Sequence, residues 1–290
     1  MDQPITTPIA DSDVVASLSE LPGLVGAFVA PDSPGVSRVP EPWQPIARSS
    51  DPASRCATAL ARWNAEFCDK VPTFMAAFRA QLADVRVWLT DRGEHLLVYV
   101  VRDGDWQACW IGWDPWSAGP KPRFWEHFPG WLRAFLDEVH GGFTQPWGNS
   151  GPLSREDMLT LAEIADEPDG IPGWLDAWDD PAGRICSTRL VRIATNGGNL
   201  DYCLSPDLTP EQVALVYEGD IDPQDLASEL DDLMSRDLDP ERRVEPMRAL
   251  TPDEARARQE QWDELRALMD NMPEARYAEA VYVTDEDDRR

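Results

Sequence analysis

Residues 188–204, TRLVRIATNGGNLDYCL, place two apolar runs on either side of a four-residue break, Asn196-Gly197-Gly198-Asn199. Consecutive glycines admit φ > 0 and close backbone approach without a Cβ penalty, so such a break reads as a turn between paired strands. Residues 190–195 and 200–204 are therefore predicted to be neighbours in an antiparallel hairpin. A hairpin cannot bury its apolar face alone; it needs further strands or a covering helix. The rest of the chain must supply them.

A second glycine pair lies upstream, in FPGWLRAFLDEVHGGF at 128–143. Trp131, Leu132, Phe135, Leu136 and Val139 form a helical stripe, and Gly141-Gly142 stops it. Ser154 to Asp157 has the form of a capping box before Met158, Leu161 and Ile164. A strand is expected at 213–217. Asp222-Pro223 is read as the cap of a following helix whose buried stripe is Leu226, Leu230 and Leu233.

The order of these features over 124–238 resembles the SUKH superfamily, which includes yeast-type cell-wall-synthesis regulators and bacterial immunity proteins. The motif residues are Gly141, Gly142, Asn196, Gly197 and Gly198. His140 stands where the family usually has Asn before the first pair, and Asn199-Leu200-Asp201 stretches the usual continuation of the second. The resemblance implies an α+β fold with a largely antiparallel or mixed sheet flanked by helices. It also implies a non-catalytic protein that binds a cognate toxin. An acidic regulatory scaffold of the cell-wall-regulator kind, using its Pro-rich arm, is the alternative.

Outside that stretch, residues 1–50 carry eight prolines, a density that predicts an extended arm without much regular structure, docked through Leu24, Val25, Phe28 and Trp43. From Ser54 a helix should present Cys56, Leu60, Trp63 and Phe67 on one face, and a second should start at Pro72 with Phe74, Phe78 and Leu82 inward. Val85, Val87 and Leu89 alternate with polar neighbours, Leu96 to Val101 reads as a buried strand and Trp106 to Trp113 returns, with turn signals at Asp91-Arg92-Gly93 and Arg102-Asp103-Gly104-Asp105. That pattern is a three-strand antiparallel meander, an extension of the sheet or a separate lobe. The resulting segments are 1–50, 51–120, 121–240 and 241–290. The last should hold a helix opened by Thr251-Pro252 and a strand at 275–283.

The formal charge of −27 argues against nucleic acid and anionic membrane as partners, and for a basic protein partner. Five scattered cysteines lack metal-ligand spacing and read as reduced core thiols. No secretory leader is recognisable, the first basic residue being Arg38, so the cytosol is the expected compartment. None of His95, His127 and His140 lies in a metal or triad spacing. His140, after an apolar helix, reads as a C-terminal cap or dipole partner. No catalytic residue, metal or cofactor is expected.

The remaining signal is aromatic and acidic. Residues 163–180 combine seven carboxylates and no base with Trp174 and Trp178, predicted to be i, i+4 neighbours on a short helix begun at Pro172-Gly173. Candidate toxin contacts are therefore Asp166, Glu167, Asp169, Trp174, Asp176, Trp178, Asp179 and Asp180, facing a toxin with a basic active-site cleft. A second run, 207–241, sets twelve acids against Arg236 alone.

Overall fold

The prolines of the first fifty residues bound short elements instead of abolishing them. The computed structural model describes residues 9–19, 24–174, 185–217 and 219–242. Helix α1 (Asp11–Ser19) fits between Pro8 and Pro22, and strand β1 (Gly26–Phe28) follows. Two 3-10 turns lead to α2 (Gln44–Arg48), where Pro45 sits in the first turn and its missing N–H costs nothing. The expected irregular arm is thus corrected for its described part. Leu24 and Trp43 are buried and Phe28 packs beneath the sheet, whereas Val25 is exposed.

Asp51 caps α3 (Pro52–Leu60) by accepting from the Ser54 N–H at 2.9 Å. A turn then separates it from α4 (Ala65–Lys70), so the single predicted face is divided: Trp63 and Phe67 are buried, Cys56 and Leu60 only half-buried. Helix α5 (Pro72–Gln81) buries Phe74, Met75 and Phe78 as expected, while Leu82 already belongs to the next strand.

The meander is present as β2 (Leu82–Thr90), β3 (His95–Asp103) and β4 (Trp106–Trp113), all antiparallel. Gly93 at φ 85° and Gly104 at φ 59° make its turns, conformations that a Cβ disfavours. β1 pairs with β2, and a two-residue strand β5 (Phe143–Thr144) closes the order β1-β2-β3-β4-β5. Both faces are buried. Val85, Val87, Leu97, Tyr99 and Trp110 face the main core, while Trp88, Leu96, Val98, Val100 and Ile111 pack on Val14 and Leu18 of α1. Continuous apolar sequence in β3 follows from that double burial.

Helix α6 (Gly130–Ala134) continues as a π-helical turn, Phe135–Val139, which the His140 N–H closes on the Phe135 carbonyl at 3.0 Å. The stop does not need left-handed glycines. A Cβ at Gly142 would lie 2.6 Å from Ser154 backbone atoms, and one at Gly141 2.5 Å from the Ala118 Cβ. The pair permits close approach.

Helix α7 (Leu161–Ile164) starts one capping box later than predicted: Thr160 and Glu163 form the reciprocal pair. Ser154 Oγ instead spends its hydrogen bond on the Asp157 carboxylate at 2.6 Å, within a turn. The hairpin is as read, with β6 (Val191–Thr195) beside β7 (Leu200–Leu204) and a bulge between Arg192 and Ala194. Strands β8 (Gln212–Tyr217) and β9 (Asp220–Asp225) complete a second antiparallel sheet, β6-β7-β8-β9. Asp222-Pro223 lies in β9, not at a helix start, because an edge strand tolerates proline. The cap of α8 (Leu226–Ser235) is Asp225, accepting from Ser228 N–H at 2.9 Å, and Leu226, Leu230 and Leu233 are buried as predicted. The helix and strand expected after 250 lie outside the described residues.

The fold is α+β with two open antiparallel sheets, and one core spans both, from Val36 to Leu238. Backbone joins them. The Phe143 N–H donates to Pro152 O at 2.7 Å, and Leu153 N–H to Ile193 O at 2.8 Å. Residues between those bonds thus bridge β5 and β6.

Asp84, 1% exposed, ties the N-terminal elements to this frame. Arg55 donates to both its oxygens at 2.6–2.8 Å, and Arg86 to Oδ2 at 2.6 Å. The same arginines reach the Ser49 and Ile9 carbonyls, and Arg86 also pairs with Asp11 and covers the Phe28 ring. Removing the shared anion strands two part-buried cations. Asp84→Ala should therefore cost about 3–5 kcal/mol in urea unfolding and expose the first fifty residues to protease. Near-native stability would show that the clamp is dispensable.

Candidate functional site

Both glycine pairs lead to one groove. After β5 the chain makes a tight turn in which Gln145 N–H donates to Asn149 O and Gly148 N–H to Gln145 O, each at 2.9 Å. Gly148 at φ 75° permits that turn, and its tip presents Trp147, 73% exposed. Beside it stands the β6–β7 tip, with Gly197 at φ 79° and the Gly198 N–H bonded to Asn196 Oδ1 at 2.8 Å. A Cβ on Gly197 would come within 3.2 Å of Asn149 Nδ2, so the tips touch. The groove of about 700 Å³ that they border is floored by Thr144 and Leu153. Glu94, Glu156 and Asp157 are exposed in its lining, which also includes Arg92 and Arg192. Arg192 stands 3.6 Å from Asp201, whose carboxyl burial pushes up while the guanidinium pulls it down.

His140 is wholly buried among Trp43, Trp63, Tyr99, Phe135 and Phe143. Its Nε2 accepts from the Tyr99 hydroxyl at 2.8 Å, since that oxygen receives the Trp63 indole N–H at 3.3 Å. Burial first, then the Arg62 charge, lowers its pKa to about 3, with the Trp113 carbonyl only partly opposing. A neutral ring cannot serve the helix dipole; the dipole reading is corrected, and only the backbone caps the helix. Burial also drives the Cys56 and Cys109 thiols up to about 12, and Cys203 well above its ordinary value. These are protonated thiols, not nucleophiles. Among the described residues no three His, Cys, Asp or Glu side chains converge as metal ligands, and no helix is long and apolar enough to cross a membrane.

The predicted contact residues divide. Asp166, Glu167 and Asp169 are exposed in the loop after α7, with Asp166 at φ 58°. Trp174 turns inward: its Nε1–H donates to Ile185 O at 2.9 Å, and its ring packs on a small core of Leu161, Ile185, Leu190, Cys203, Ala214 and Val216. Pro172 to Trp174 form a turn, with Gly173 at φ 75°. Asp176, Trp178, Asp179 and Asp180 lie outside the described residues.

Sequence reasoning passed over Trp147. Its signal was an aromatic between Pro146 and Gly148, a turn-tip composition that leaves a large ring no core to enter. The acidic run 207–241 is resolved into roles. Asp207 pairs with Arg189, Asp225 caps α8, and Asp232 pairs with Arg236 and Arg242. Asp220, Asp222 and Glu229 form no ion pair among the described residues; burial raises the Glu229 carboxyl, Asp232, Asp222 and Asp225 raise it further, and Arg236 partly opposes them. Comparison of the chain with models of known protein families, with curated proteins and with solved structures finds no match.

The buried imidazole has a pH consequence. An unfolded histidine takes up its proton below pH 6.5, whereas folded His140 stays neutral down to about 3. The unfolded state then binds more protons, so this group's share of stability, complete above 6.5, falls on acidification by about 1.4 kcal/mol per pH unit. His140→Phe should lose about 1–3 kcal/mol at pH 7.5, where Tyr99 lacks its acceptor, yet show a shallower acid slope to pH 4.5. Parallel slopes in denaturant titrations of the two proteins would remove His140 from the acid response.

Proposed function

We propose that this chain is a cytosolic immunity-type protein. It binds a cognate bacterial toxin with a basic active-site cleft and occludes it without chemistry or cofactor. The observation that carries the reading is the set of unrelieved carboxylates on β9 and α8. Asp220, Asp222 and Glu229 form no ion pair among the described residues, and the Glu229 carboxyl is raised by burial and by Asp232, Asp222 and Asp225, which Arg236 offsets only in part. Like charges so placed weaken the free protein and are relieved when cations dock, which favours a basic partner. A chain of charge −27 also steers such a partner from a distance. The ordered glycine motifs, with their likeness to the SUKH superfamily, support the same function.

Strand addition at β9 is disfavoured. Pro223 removes a donor from the sheet edge, so recognition there belongs to side chains. The alternative, a scaffold working through a free Pro-rich arm, draws less support, because Leu24 and Trp43 are buried and Asp84 anchors the arm.

The test is co-purification with, and kinetic binding to, the toxin domain encoded beside this chain's gene. The triple variant Asp220→Lys, Asp222→Lys, Glu229→Lys should keep its melting temperature, associate at least about tenfold more slowly at low salt and lose most of its salt dependence. A wild-type chain that neither binds nor neutralises that toxin sinks the reading.

A further inference from the structure

We infer that the groove beside Trp147 is the surface that the basic partner enters, with the Trp147 indole as its anchor. The inference rests on the toxin-binding reading and deepens it by naming a site that the chain's acidic runs do not indicate. Of the described tryptophans, Trp43, Trp88, Trp110 and Trp131 are almost fully buried, and Trp116, 50% exposed, packs edge-on against Trp43 beneath the Arg62 guanidinium. Trp147 leaves 73% of its surface in water, more than any other exposed large apolar side chain among the described residues. A large ring left so bare marks a place for a partner to cover, and tryptophan is the residue most enriched at binding hot spots.

The turn that carries the indole is held, not loose. Its turn is closed by two backbone bonds, and Ser150, just beyond, is fixed from three sides. Its N–H donates to Thr195 O at 3.3 Å, its hydroxyl to Asp237 Oδ2 at 2.8 Å, and its carbonyl accepts from Trp110 Nε1 at 3.4 Å. A ring presented on so constrained a turn loses little freedom on binding.

Charge selects the partner. Glu94, Glu156 and Asp157 are exposed in the groove and make no ion pair among the described residues, while Arg192 is already engaged by Asp201. That leaves Arg92 against three carboxylates. The volume, about 700 Å³, suits a loop carrying lysine or arginine. A second copy of this chain would bring its own −27 charge to the same acids.

The test uses the full chain and the toxin domain encoded beside its gene, with association and dissociation followed separately. Trp147→Ala should melt as the wild type does and dissociate about thirtyfold faster, with association changed by less than about threefold. Glu156→Lys with Asp157→Lys should mainly slow association. A photo-crosslinking residue placed at 147 should join the toxin. If the wild type binds but both variants keep its rate constants, the groove is not the interface and the immunity reading survives. If the wild type binds no toxin domain, both fall. Self-association that Trp147→Ala abolishes would assign the groove to a second copy and overturn the inference.

Discussion

Two positions without side chains decide whether this chain can be one structure. A Cβ at Gly142 would meet the backbone of Leu153 and Ser154, and one at Gly151 would come within 2.2 Å of the Phe143 carbonyl oxygen. With hydrogen there, the backbone just after Gly151 bonds β5 through Pro152 and β6 through Leu153. The two sheets thereby share one core, and the Trp147 turn is fixed beside the β6–β7 tip. The groove is a by-product of that backbone contact. Any residue larger than glycine would have to part the sheets or shift the turn.

The acids divide by what surrounds them. Inside, each carboxylate has a defined task. Asp84 neutralises Arg55 and Arg86, and Asp231 of α8 accepts from the Thr73 and Phe74 N–H groups at the start of α5. Asp137 holds Arg155, itself buried, against the Pro115 carbonyl. Desolvation makes an unpaired charge intolerable there, so pairing is enforced by the fold. Outside, no such penalty exists, and Asp220, Asp222, Glu156 and Asp157 form no ion pair among the described residues. A net charge of −27 therefore accumulates at the surface, where it is available to a partner, and not as strain in the core.

Legibility followed physical distinctness. The meander and the β6–β7 hairpin could be read because period-two alternation and glycine turns have few alternative explanations. The first fifty residues were misread because proline density was taken as a bar to structure, although proline at a helix's first turn or between elements costs nothing. The capping box was placed at Ser154 when Thr160-Glu163 fits the same pattern six residues on; only tertiary contact chose between them. Asp222-Pro223 looked like a helix cap because nothing local marks an edge strand. For the site, Gly197 and Gly198 at the groove's edge stand out in the sequence, but Gly148 and the aromatic beside it do not. Trp174 and Trp147 are alike in sequence terms, each beside proline and glycine; only the fold shows that the first has a core to enter.

That difference bears on how the surface would work. Trp174 satisfies its indole N–H within the chain, at the Ile185 carbonyl, and buries its ring on the second face of the β6–β9 sheet. Taking it into an interface would first break that packing, so any contact energy would be offset by the loss. Trp147 needs no such rearrangement. Its turn is anchored through Ser150 to both the Trp110 indole and Asp237, so the place from which the ring projects is set by the same core that His140, Tyr99 and Trp63 close from within. A surface preformed in this way gains affinity by holding a partner longer, whereas the acids around it raise the rate of encounter. Anchor and charge thus act on different steps of binding. A partner lacking either a receptive pocket or a basic rim would forfeit one of them, and that joint requirement is what would let a strongly acidic protein discriminate against other cations.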